Sequence, residues 1–274
     1  MDRVTSIWPV ALLLLYCALP LPARAGGTAL AAVVEVTVYA DDAYPPYSYA
    51  VNGESRGVYS AILRKAFTRM PAYHVQVLPV PWKRGLKMLE QGEAFALSPP
   101  YYRPGERPYM DYSEPILTES VTLFCNAAVE PKSTAKRWPD DYFGLRIGTN
   151  TGFLIGGSQF ELARRQGLIT LAEARGTDEN LRKLMLGRLD CYMNDRYAIL
   201  HSLFRIRSEP AYRHGPGIVE ELVISQEYGY LGFTRNGNER FAFKGDFVRQ
   251  FNAILHDMKR SGEIEQIVES ELHR

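Results

Sequence analysis

The sequence predicts an α/β protein of two lobes, each a mostly parallel sheet flanked by helices, joined by two hinge crossovers around a cleft. Three observations predict it. Short β-branched strands alternate with amphipathic helices, which marks an α/β layer. The alternation starts twice, near residues 33 and 121, with no long linker between the two runs. The 274 residues, 46% of them hydrophobic, suffice for one large or two modest cores. A disordered or low-complexity chain would carry fewer apolar residues, or far more than 22 Gly and 17 Pro. Against 32 Lys+Arg stand 31 Asp+Glu, a formal net charge of +1, so no nucleic-acid partner is expected.

The first segment is a targeting signal. Residues 7–21 are apolar, Arg3 precedes them, and Ala23-Arg24-Ala25 places small residues at −3 and −1 of a cut before Gly26. The run is short for a membrane span and is interrupted by Pro9 and Pro20. Residues 1–25 therefore read as a signal peptide, and the protein as exported to the periplasm. Without Asp2, Arg3 and Arg24 the remainder is formally neutral. Its two cysteines, Cys125 and Cys191, lie in apolar strand-like stretches and are expected to be buried free thiols, although export permits a disulfide.

The first run of elements opens with a strand over 33–39. The loop at 41–47 cannot pair regularly, because Pro45 and Pro46 interrupt it. A helix over 59–70 carries Ile62, Leu63, Ala66, Phe67 and Met70 on one face and stops at Pro71. A strand at 75–80, a helix at 82–91 closed by Gly92, and a strand at 95–97 follow. The second run has a strand at 121–125, a polar stretch, a strand at 145–148, and the turn Thr149-Asn150-Thr151-Gly152 opening a helix. A further helix is capped by Thr177 or Asp178, carries Leu181, Leu184 and Met185, and ends at Gly187. A strand at 189–193, a helix at 197–204 and a strand at 228–233 come next, then helices at 247–259 and 264–272. The expected organisation is residues 26–123 plus 229–274 as one lobe and 124–228 as the other.

Several motifs now line up. Pro81-Trp82-Lys83-Arg84, Leu89-Glu90-Gln91-Gly92 and Glu106-Arg107 followed by Tyr112-Ser113-Glu114-Pro115 occur in order. Gly148-Thr149-Asn150-Thr151-Gly152, Gly187-Arg188-Leu189-Asp190 leading to Asp195, and Tyr228-Gly229-Tyr230 continue the series. Together these resemble the bacterial extracellular solute-binding proteins of family 3, the periplasmic receptors for polar amino acids that serve ATP-driven importers. The resemblance implies a two-lobed periplasmic binding fold and a small-molecule ligand. It also implies no cofactor or catalysis of its own, a monomer, and an inner-membrane permease or sensor as partner.

Resemblance also assigns candidate ligand contacts. Arg107 is the expected anchor for a carboxylate, since its planar fork gives two parallel hydrogen bonds. Asp195 is the expected acceptor for an ammonium group, although Asp195 before Arg196 equally fits a helix cap. Gly152 and Phe153, at the turn, would present free amides to a carboxylate. Tyr44, Tyr47, Trp82 and Tyr102 are wall candidates, each also readable as ordinary packing.

The departures bear on the ligand. Phe95 stands where the family has Asp, and Pro99, Pro100 and Tyr102 occupy a stretch that usually offers small hydroxyl residues to an amino acid. Phe153 replaces Ser or Thr. These changes put a standard α-amino acid in question, and the expected ligand is a small polar one, amino-acid-like or carboxylate-bearing. Scattered histidines and the absence of a Cys-x-x-Cys pair support no metal site. Two alternatives remain: a sensing module without its own transporter, and an enzyme like the periplasmic cyclohexadienyl dehydratases. For the enzyme, Glu119, Glu173 and Glu227 are the unassigned acids near the cleft.

Overall fold

Val34, Val36 and Val38 alternate with Glu35, Thr37 and Tyr39, and this period of two builds β1 (Val34–Asp41). The computed structural model describes residues 1–2, 32–129, 136–237 and 239–272, and Val33–Arg274 cluster as one unit. The expected signal peptide, residues 1–25, falls outside the described residues apart from its first two. After β1 come β2 (Ala43–Tyr44), β3 (Ser48–Val51), β4 (Glu54–Arg56), α1 (Val58–Phe67), β5 (Tyr73–Val80), α2 (Trp82–Glu90), β6 (Ala96–Ser98) and β7 (Met110–Tyr112). The chain continues with β8 (Leu117–Asn126), β9 (Arg146–Asn150), α3 (Gly157–Arg165), β10 (Thr170–Ala174), α4 (Thr177–Met185), β11 (Cys191–Asp195), α5 (Arg196–Ser208) and β12 (Ile218–Gly229). It closes with β13 (Gly232–Thr234), α6 (Lys244–Arg260) and α7 (Glu263–Leu272).

Two five-stranded sheets result, ordered β5-β1-β6-β13-β7 and β10-β9-β11-β8-β12. The inner pairs of each are parallel, while the returning strands β13, β8 and β12 run antiparallel to their neighbours. Each lobe has its own core. Val36, Val38, Ile62 and Leu63 meet Phe247, Phe251 and Leu255 in the first, whereas Leu123, Ile147, Phe160 and Met193 fill the second. Phe95 is part of the first core and packs tilted or edge-on among Phe233, Phe241, Phe243 and Phe247.

The chain passes between the sheets twice, after Tyr112 and after Gly229. Amide bonds from Ile116 to the Gly229 carbonyl (2.7 Å) and from Ser113 to the Leu231 carbonyl (2.9 Å) tie the two crossovers together. The expected boundary at residue 123 falls inside β8, whose pairing with β12 runs from Leu117 to Asn126.

Three expectations are corrected. Cys125 and Cys191 are not free thiols. They stand directly opposite each other on antiparallel β8 and β11 and form a disulfide. The helix expected to open at Gly152 begins only at Gly157, so residues 152–156 are loop. The strand expected at 228–233 is two pieces, the end of β12 and the short β13, broken at Tyr230-Leu231.

Gly57 sets the entry into the first helix. It precedes α1 at φ +99°, and a Cβ there would lie 2.5 Å from the Pro46 carbonyl oxygen. With that close approach, the first amides of α1, from Val58 and Tyr59, donate to the carbonyls of Pro46 and Tyr47 at 3.1 and 2.9 Å. The Pro-Pro loop is thereby fastened to the helix, and Tyr44, Tyr47 and Tyr59 share one buried site.

Candidate functional site

A small cavity lies where the loop after β9 meets the first lobe. Its walls are Tyr44, Trp82, Pro99, Tyr101, Arg103 and Arg107 from one side and Phe153, Leu154 and Ile155 from the other. Its volume is about 20 Å³, room for roughly one water. Phe153 is the wall residue that reaches across it. Its ring packs edge-on against Tyr44 at 5.4 Å and against Trp82 at 5.9 Å.

Arg107 is 4% exposed, and its guanidinium forms no ion pair among the described residues. Its Nη2 donates to the Gly152 carbonyl at 3.1 Å, and its Cζ lies 5.6 Å from the centre of the Trp82 ring. Burial pulls its pKa down. The Trp82 indole N–H, at the start of α2, is buried without an acceptor. Arg103, by contrast, is paired: it binds Glu227 at 2.8 Å and donates from Nε to the Leu154 carbonyl at 2.9 Å.

Behind the tyrosine wall lies Glu119 on β8, 2% exposed. It accepts hydrogen bonds from the phenols of Tyr44, Tyr59 and Tyr101, the last at 2.7 Å. Burial pushes its pKa up to about 7, the Asp195 charge adds to that, and the three phenols oppose it. Asp195 ends β11 and caps α5. Its carboxylate accepts the Ala198 amide (3.0 Å), the Ser120 amide (3.0 Å) and the Tyr47 phenol. Burial raises its pKa, and these hydrogen bonds hold it back.

Of the eight expected site residues, the structure brings Arg107, Tyr44, Trp82 and Phe153 together at the cavity. Gly152 joins them through its carbonyl, since its amide is already given to Glu173 at 2.9 Å. The Phe153 amide is likewise given, to the Asn150 carbonyl at 3.0 Å, so this turn holds no free amide pair of the kind expected. Tyr47 and Asp195 sit behind the wall. Tyr102 lies outside it, 54% exposed, with its ring on Tyr112 and Tyr230. The Pro100 carbonyl accepts the Tyr230 amide at 3.0 Å.

Tyr59, Tyr101 and Arg103 were not singled out by the sequence, and Glu119 was left without a role. One signal pointed to Glu119: it falls on the same inward alternation as Val121 and Leu123, where a carboxylate is out of place. Two further contacts link the lobes. Arg175 pairs with Asp42, and Gly176 approaches Ala43 so closely that a Cβ would lie 2.6 Å from its carbonyl oxygen.

Two sheet-and-helix lobes with a double crossover and a walled cleft define the class of two-lobed binding proteins. Residues 36–272 match the family model of bacterial extracellular solute-binding proteins, family 3, and the chain belongs to that family. No curated protein sequence matches it significantly. Among solved structures it resembles a histidine kinase sensor domain similar to periplasmic binding proteins (TM-score 0.71, 16% identity, 88% of this chain and 96% of that one). It also resembles the arginine-, lysine-, histidine-binding protein ArtJ of the thermophilic bacterium Geobacillus stearothermophilus (0.65, 17%, 88% and 96%). A third is an ancestral amino acid-binding protein, a precursor of cyclohexadienyl dehydratase (0.63, 18%, 87% and 95%). At these identities the likeness is one of fold. Among the described residues no helix is long and apolar enough to cross a membrane.

Proposed function

We propose that this protein is a periplasmic solute-binding protein that captures a small carboxylate-bearing ligand in its interlobe cleft. It acts without catalysis, and it hands the ligand to an ATP-driven importer in the inner membrane. The apolar N-terminal run and its Ala-x-Ala site support export. Family membership supports a solute, and the importer is the usual partner of that family.

One observation carries the ligand reading. A guanidinium buried in a cavity with a neutral carbonyl and an indole ring but no carboxylate for partners is an expensive feature for a folded chain to keep. A carboxylate entering the cleft would complete it with two charge-assisted bonds and would touch both lobes, favouring the closed form. A second reading, a ligand-sensing protein with no transporter of its own, draws on the way Phe153 packs against Tyr44 and Trp82 across the cavity.

Arg107→Met tests the anchor. Loss of one member of a buried charge pair weakens binding by roughly 2–5 kcal/mol, or about 30- to several thousand-fold. The unliganded variant should unfold within about 1 kcal/mol of wild type, because an uncompensated buried charge has been removed along with its few contacts. Thermal shift with a panel of carboxylates and amino acids reads both effects. A ligand-induced shift that survives in Arg107→Met defeats the assignment.

A further inference from the structure

We infer that the cleft selects a carboxylate with an aromatic or aliphatic body and no α-ammonium group, rather than a zwitterionic amino acid. This rests on the solute-binding reading above and narrows it to a ligand class. The first support is the balance of donors and acceptors. Of the nine described residues that line the cavity, none is Asp or Glu and two are Arg. The nearby carboxylates are committed elsewhere: Glu119 to three phenols, Asp195 to the α5 cap, Glu227 to Arg103 and Glu173 to the Gly152 amide.

Three nearby backbone carbonyls are taken as well. The Gly152 carbonyl takes Arg107, that of Leu154 takes Arg103, and that of Pro100 takes the Tyr230 amide. Among the side chains that line the cavity, the buried atom left without a partner is a donor, the Trp82 indole N–H, and Arg107 has further N–H groups to give. An ammonium group here would be buried beside the unpaired Arg107, with Arg103 held by Glu227 and no carboxylate in the cavity wall, and burial without a counter-charge is strongly unfavourable.

The second support is the protein's own occupant. The Gly152 carbonyl oxygen sits on the Arg107 fork, and the next residue places its benzyl ring between Tyr44 and Trp82. Oxygen on the arginine and a ring in the aromatic seat are the two ends of an arylalkanoate. The Gly152-Phe153 segment thus shows what the site accommodates, and a ligand would take its place as the lobes part. Aromatic edge contacts of this kind favour a ring over a polar chain.

Isothermal titration of the full chain at pH 7.5 with matched pairs tests this. The pairs are 3-phenylpropionate against L-phenylalanine and 4-methylpentanoate against L-leucine, each differing only by the ammonium group. The acid of at least one pair should bind, on the order of 100-fold tighter than its amino acid, and Arg107→Met should abolish that binding. If L-phenylalanine, L-leucine or another of the twenty amino acids binds as tightly as or tighter than the acids, and does so through Arg107, the solute-binding reading stands and this inference falls. If neither acid nor any amino acid titrates, both fall.

Discussion

Glu119→Gln isolates the buried carboxylate behind the cleft, and its effect on stability should depend on pH in a defined way. In the folded protein burial and the neighbouring Asp195 charge raise the Glu119 pKa from 4.5 to about 7. The folded state therefore holds this proton more tightly than the unfolded chain does. Between pH 4.5 and 7 the unfolded chain has released the proton while the folded one keeps it, so stability falls as pH rises. The stabilisation is complete below 4.5 and gone above about 7. At 1.36 kcal/mol for each tenfold, the difference amounts to about 3 kcal/mol.

Gln is neutral throughout and nearly the same shape. Its carbonyl oxygen can accept Tyr44 and Tyr101, and its amide can donate to the Tyr59 phenol, whose hydrogen turns away. The variant's stability relative to wild type should therefore rise by about 3 kcal/mol between pH 4.5 and 8, read as the difference between two urea unfolding series followed by tryptophan fluorescence. Asp41, which burial also raises to about 7, contributes its own slope to both proteins and cancels in that difference. Curves that stay parallel across this range would refute the reasoning, because Glu119 would then be ionised in the folded state at an ordinary pH. A changed m-value would show instead that the substitution had disturbed the tyrosine wall.

Two further outcomes rest on the same geometry. Phe153→Ala removes the ring that joins the cores of both lobes; it should cost about 1–3 kcal/mol by urea unfolding and enlarge the thermal shift given by a carboxylate ligand, and a smaller shift would show that the ring is part of the binding wall rather than its occupant. The Cys125–Cys191 disulfide spans 66 residues of sequence, for which loop closure gives about 4 kcal/mol, so the Cys125→Ala, Cys191→Ala double variant should lose stability of that order, and any reactive thiol beyond that of Cys17 in the denatured, oxidised wild type would contradict the bond.

What the sequence made legible, and what it hid, divides along physical lines. Elements whose side chains alternate cleanly were visible: β1 through its valines, α1 through Ile62, Leu63 and Ala66, and α4 through Leu181, Leu184 and Met185. The longest strand, β12, was missed over most of its length. It is a sheet edge rich in Glu, and register shifts at Glu220/Leu222 and Val223/Ser225 break the period of two that would have announced it. The disulfide was hidden for a related reason. Two cysteines 66 residues apart look like small hydrophobes until β8 and β11 are known to be antiparallel neighbours in a register that sets them face to face.

At the cleft, residue type was legible and commitment was not. Arg107 and Asp195 were chosen as a cation and an anion for opposite ends of one ligand, and their types suit that task equally. The surroundings separate them. Asp195 spends both oxygens on backbone amides and a phenol, because the strand ends where α5 begins and the helix needs its cap. Arg107 is buried against the Gly152 carbonyl and the Trp82 ring, and no carboxylate pairs with it among the described residues. An asymmetry of that kind, a cation left wanting and an anion already satisfied, is what the proposal of a carboxylate ligand rests on.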